Sequence, residues 1–151
     1  MKKQNVLKAV GAGVTATIAM TIMTMIAPMM GMPEMNIPKM VSGFMGMPIG
    51  LGWIAHFMIG TMFAIVYASV FVSILPGNNV VKGAIFGIFP WLLLQIMMNP
   101  MMDAGFFSMN APAPMVALME SFIGHVVYGV VLGAVYGAKP SQPAAVNVQH
   151  N

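Results

Sequence analysis

Four stretches of the chain, residues 10–30, 49–75, 83–98 and 115–137, are almost free of polar side chains. Each approaches the roughly 20 apolar residues that a helix needs to cross a hydrocarbon core about 30 Å thick. Strands of a membrane barrel would alternate apolar and polar residues over segments of about ten. These runs are instead continuously apolar, with small residues at helical spacing. The pattern predicts an all-α membrane protein in which four transmembrane helices form a single domain over residues 1–139. The link between the second and third runs, Pro76-Gly77-Asn78-Asn79-Val80, is short and rich in turn formers. The other two links are longer, broken by Pro33, Pro38 and Pro48 in one and by Pro112 and Pro114 in the other. Within the first, residues 37–44 fit one short interfacial turn. From 140 to 151 the chain is polar and is expected to form a disordered cytoplasmic tail.

The apolar pattern also repeats. His56 is followed by Gly60, Ala64, Tyr67 and Ala68, and His125 by Gly129, Gly133, Tyr136 and Gly137. Small residues therefore stand at +4, +8 and +12 and a tyrosine at +11 in both frames. The register extends backwards: Lys8 and Lys82 open the preceding runs, which close on Pro28-Met29-Met30 and Pro100-Met101-Met102. Such a frame predicts a duplicated two-helix hairpin, repeat 1 over about residues 8–75 and repeat 2 over about 82–138. Duplicating an even number of crossings leaves the two hairpins parallel, related by a pseudo-twofold axis along the membrane normal. The ridges Gly60-Ala64-Ala68 and Gly129-Gly133-Gly137 are expected to pack against other helices, because small residues let backbones approach closely in lipid.

Composition fits a membrane protein: of 151 residues 59% are hydrophobic and 6% charged, against about 25% charged in a soluble domain. The net charge of +3 is not a nucleic-acid signal, because the lysines are distributed by membrane side. Lys2, Lys3 and Lys8 precede the first run, Lys82 lies between the second and third, and Lys139 follows the fourth. Only Lys39 falls on the other side, with Glu34, Asp103 and Glu120. The positive-inside rule then places both termini in the cytoplasm and the long links outside. Lys2 and Lys3 ahead of an apolar run could suggest a signal peptide, but the run is too long for one and Pro28 spoils the cleavage site. The chain has no cysteine, which excludes disulfides, thiolate ligands and iron–sulfur clusters. It has no arginine either, which argues against a phosphate clamp or a voltage sensor.

An ionisable side chain inside an apolar helix is costly and marks a functional site by default. His56 and His125 stand roughly 12–16 Å inside the outer helix ends, at 1.5 Å per residue. Their simplest role is a hydrogen bond to a neighbouring helix, for instance to Thr15, Thr17, Thr21, Thr24 or Gln95. Ligation is the sharper one. The chain has 20 methionines, and Met29, Met30, Met32, Met35, Met97, Met98, Met101 and Met102 cluster at the outer helix ends. Thioethers are soft ligands that select cuprous copper, so these sulfurs and the two imidazoles form a candidate copper(I) site. The competing view is that methionine is a flexible apolar filler. A b-type haem held by His56 and His125 is the rival cofactor. It needs backbones about 12–14 Å apart, whereas packed helices sit about 8–10 Å apart. No carboxylate stands at metal-motif spacing from either histidine, and Glu120 points about 140° away from His125 on the same helix. No nucleophile frame is present, so no reaction can be assigned. Two classes stay open. One is a non-enzymatic metal- or cofactor-binding protein, with copper(I) ahead of haem. The other is a structural or accessory subunit whose ridges pack against a larger membrane complex or a second copy.

The phrases Gly52-Trp53-Ile54-Ala55-His56-Phe57-Met58-Ile59-Gly60, Leu75-Pro76-Gly77, Pro100-Met101-Met102 and Gly124-His125-Val126-Val127-Tyr128-Gly129 occur in this order. Together they resemble a family of small four-helix bacterial inner-membrane proteins classed as a domain of unknown function. The resemblance covers about residues 8–138. It implies the four-helix fold and an inner-membrane location, with the lipid bilayer as partner, and it carries no activity.

Overall fold

The computed structural model describes residues 3–137, so the tail expected over 140–151 lies outside the described residues. Helix α1 runs Lys3–Ile26 and tightens into a 3-10 turn, Ala27–Met30. It is followed by the short α2, Ile37–Met45, and by α3, Ile49–Ile74. Helix α4 spans Asn79–Met101 and α5 spans Pro114–Gly137. No strand occurs among the described residues. Helices α1, α3, α4 and α5 are each long and apolar enough to cross a membrane. With four such helices, the start of α1 and the end of α5 share one end of the bundle, here the terminal end. The two long links share the other, the link end.

Local chemistry explains the helix limits. Helix α1 starts ahead of its apolar run because nothing between Lys3 and Val10 breaks a helix. Gly31, at φ +82°, ends its 3-10 extension, a left-handed position that glycine occupies without a Cβ penalty. Asn36 caps α2 by accepting from the Lys39 amide at 3.0 Å, and Asn78 caps α4 by accepting from the Val81 amide at 3.0 Å. Pro90 sits inside α4 and removes a backbone donor, and just beyond it Leu94–Met98 relaxes into a π turn. Such adjustments re-satisfy the backbone around a proline in membrane helices. A second π turn, Tyr67–Phe71, lies in α3.

The four long helices close into a ring in which α1 packs on α3, α3 on α4, α4 on α5 and α5 on α1. Two seams bring backbones together. A Cβ built on Gly83 would strike the Gly129 carbonyl, and one on Gly87 would strike that of His125. Between α1 and α3, a Cβ on Gly13 would lie 2.7 Å from Ala64 Cβ and one on Gly60 would strike the Thr17 hydroxyl. The α3–α4 seam is wider and filled by rings, with centroids 5.1 Å apart for Tyr67–Phe86 and 5.0 Å apart for Phe71–Phe86. At the α1–α5 seam Met20 and Met23 lie against Gly124. The core comprises Ala12, Ala16, Met20, Ala64, Tyr67, Phe86, Tyr128 and Leu132.

The small-residue ridges therefore face inward. Gly60 and Ala64 meet α1, Ala68 is buried, and Gly129, Gly133 and Gly137 meet α4. Their surfaces are occupied within the chain, so the reading that they dock this protein on a larger complex gains no support. Gly83→Leu or Gly129→Leu is expected to lower the thermal unfolding midpoint in detergent, at a cost of about 1–3 kcal/mol from overpacking. Gly43→Ala, where a Cβ would meet nothing within 4 Å, should leave it unchanged. Equal midpoints for all three would show that the α4–α5 seam is not close-packed.

Candidate functional site

His56 is buried on the face of α3 turned toward α1, where its Nε2 lies 3.0 Å from Thr21 Oγ1. The single hydroxyl proton of Thr21 goes to the Thr17 carbonyl at 2.7 Å. The threonine oxygen is then left to accept, so neutral His56 carries its proton on Nε2 and has a bare Nδ1. Of the polar groups expected as partners, Thr21 is the one joined to His56, while Gln95 bonds Ser121 instead.

His125 is half-buried and turns back on its own helix, with Nδ1 2.7 Å from the Ser121 carbonyl. A carbonyl only accepts, so this ring holds its proton on Nδ1 and keeps Nε2 bare. The two rings present opposite nitrogens. Beside them Tyr128 donates from α5 to the Gly60 carbonyl of α3 at 2.6 Å. That bond lies one helical turn from His56.

Glu120 is the ionisable group whose importance sequence spacing does not reveal. It is 1% exposed, and neither carboxylate oxygen has a hydrogen-bond partner among the described residues. Its angular offset from His125 is real, but α5 packs on both α1 and α4, so two of its faces are interior. The signal was present in the series Glu120, Gly124, Tyr128 and Leu132, four residues apart and all buried. Gly124 in that series faces Met20 and Met23 of α1, and Glu120 lies one turn closer to the link end. An ionised acid inside a membrane helix costs on the order of 3 kcal/mol or more, so a proton or a cation has to neutralise it.

A second polar cluster bonds largely within itself. Gln95 donates to Ser121 Oγ at 2.8 Å, Asn99 donates to Gln95 Oε1 at 2.8 Å and to Ser108 Oγ at 2.9 Å, and Trp91 donates to Ser121 Oγ at 3.2 Å. This network pins the second long link, where Phe107 and Ser108 adopt φ of +53° and +60°. Its role is structural, since its hydrogen bonds tie α4, the link and α5 to one another.

The methionines among the candidate copper ligands lie at or near the surface. Met29, Met30, Met97 and Met101 are exposed, and Met32, Met35, Met98 and Met102 are only partly covered. These residues sit at the ends of α1 and α4 and in the first link. Among the described residues no group of three or more His, Asp or Glu side chains could hold a metal ion. Copper(I) binding therefore gains no support. Haem gains no support either, and Tyr128 bridges α3 and α5 beside the histidines.

Compared with known proteins, the chain matches a family described as a family of unknown function (DUF6789) over residues 3–146. No curated protein and no solved structure matches.

Imidazole nitrogen NMR of the detergent-solubilised protein is expected to show His56 as the Nε2–H form and His125 as the Nδ1–H form when both are neutral. Thr21→Val should alter the His56 signals and spare those of His125. The same tautomer on both rings would contradict the hydrogen-bond assignment.

Proposed function

Since the chain belongs to this family of unknown function, whose membership brings no activity with it, we propose a role from the geometry. The protein is a non-enzymatic integral membrane protein that takes up and releases protons at a site buried in the link-end half of its bundle. Glu120, His56 and His125 are the exchanging groups. Glu120 carries this reading: an acid 1% exposed, with both oxygens unpartnered, inside an apolar helix. Membrane proteins retain such acids, despite their cost, where protons or ions are handled. The imidazoles add two nitrogens with free lone pairs, Nδ1 of His56 and Nε2 of His125.

The lysine distribution supports an orientation with the terminal end, marked by Lys3, Lys8 and Lys82, in the cytoplasm of a bacterial inner membrane. The link end then faces outward. Descent from a duplicated hairpin is supported by matching seams. Gly13 meets Gly60 and Ala64 across α1 and α3, as Gly83 and Gly87 meet Gly129 and His125 across α4 and α5. The halves differ at the histidines themselves, since His56 bonds a neighbouring helix and His125 its own.

The protein has three acidic residues, so carboxyl infrared bands can be assigned by substitution. The difference spectrum between acid and alkaline samples is expected to contain a C=O band typical of a carboxyl group in apolar surroundings. That band should disappear in Glu120→Gln. A spectrum accounted for by Glu34 and Asp103 alone would overturn the proposal.

A further inference from the structure

At the link end α1, the first long link, α2 and α3 enclose a cavity of about 310 Å³, whose lining includes Thr21, Thr24, Glu34, Met35, Asn36 and Trp53. Its floor is Thr21, and the Thr21 hydroxyl is itself 3.0 Å from His56 Nε2. One hydroxyl group therefore lies between the cavity and the imidazole. The lining is electron-rich: the Glu34 carboxylate, the hydroxyl oxygens of Thr21 and Thr24, the Met25 and Met35 sulfurs and the Trp53 ring. Glu34 supplies the formal charge of the lining and is exposed. Lys39 of α2 does not line the cavity. The other titratable groups of this half, Asp103 of the second long link and Glu120 and His125 of α5, line it no more than Lys39 does.

In the opposite direction the interior is shut. Toward the terminal end the helices are filled by Ala12, Ala16, Ala64, Tyr67, Phe86 and Leu132. Thr17 is pressed against Gly60, and its hydroxyl is committed to the Gly13 carbonyl at 2.8 Å. An acceptor-lined space thus approaches His56 from one end only, and a negative mouth concentrates cations in such a space.

We infer that this cavity is a cation-selective vestibule through which water and cations from the link-end compartment reach the Thr21–His56 pair, and that the pair is open to that compartment alone. The inference rests on the proton-exchange reading for its purpose, while the access route can be tested without it.

The chain has no cysteine, so single-cysteine variants report water access without background. Thr24→Cys tests the cavity wall, Met35→Cys its mouth, and Met62→Cys the exposed outer face of α3. Sealed vesicles of both orientations are treated with membrane-impermeant methanethiosulfonates carrying either an ammonium or a sulfonate group. Thr24→Cys and Met35→Cys should react when reagent faces the link end and not from the terminal end, with the cationic reagent several-fold faster. Adding Glu34→Gln should remove most of that preference, and Met62→Cys should stay unreactive within the bilayer. If Thr24→Cys does not accumulate in membranes, Ile37→Cys on the same wall replaces it. Silence of the wall position from the link end, reaction from both ends, or a charge preference that ignores Glu34 would each overturn the inference. None of these outcomes changes the infrared band of Glu120, and loss of that band would leave the labelling pattern as it is, so the two proposals fall separately.

Discussion

Inside hydrocarbon there is no water to satisfy a polar group, so each one has to find its partner within the protein. That constraint organises this bundle. Thr15, Thr17, Thr21 and Thr24 each return their hydroxyl proton to a carbonyl of the preceding turn. Gln95, Asn99, Ser108 and Ser121 satisfy one another, and Lys82 donates to the Val72 carbonyl at 2.8 Å near the end of α3. Against this background of pairing Glu120 stands apart, fully buried and without a hydrogen-bond partner among the described residues. Tyr67, at 0% exposed with an unpartnered hydroxyl, is the milder exception, since a neutral phenol costs far less to bury than a charge.

The glycine seams make this arrangement feasible. Because α1 closes on α3 and α4 closes on α5 at backbone distance, helix packing consumes the small residues and pushes the larger polar side chains toward the junction of α1, α3 and α5. His56 meets Thr21 there, and Tyr128 reaches Gly60. The aromatic α3–α4 seam does the opposite. It holds helices apart with rings, offers few polar groups, and contributes to the apolar plug below the histidines.

Much of this was legible in the sequence. Continuous apolar runs gave the four long helices, because hydrocarbon thickness fixes their length. The +4, +8 and +12 frame identified residues that lie at close seams. Three features resisted. The exposure of the methionines did not follow from their clustering in sequence, because consecutive residues of a helix diverge by about 100° and helix ends lie on the perimeter. Glu120 was hidden because a single-face view of α5 assumes one packed side, whereas α5 has two. Gln95 turned toward Ser121 rather than a histidine because it lies in a π turn that shifts side-chain register, and residue spacing carries no sign of such a turn beyond the proline before it.

Counting the protons exchanged per chain tests most directly whether Glu120 and His56 form an exchanging site. Solubilised wild type and the double variant Glu120→Gln, His56→Gln are titrated without buffer over the range in which carboxyl and imidazole groups ionise. The double variant should take up fewer protons, by the two groups removed, while keeping its helix content. Superimposable uptake curves would mean that neither group exchanges protons in the folded protein, and would contradict the account.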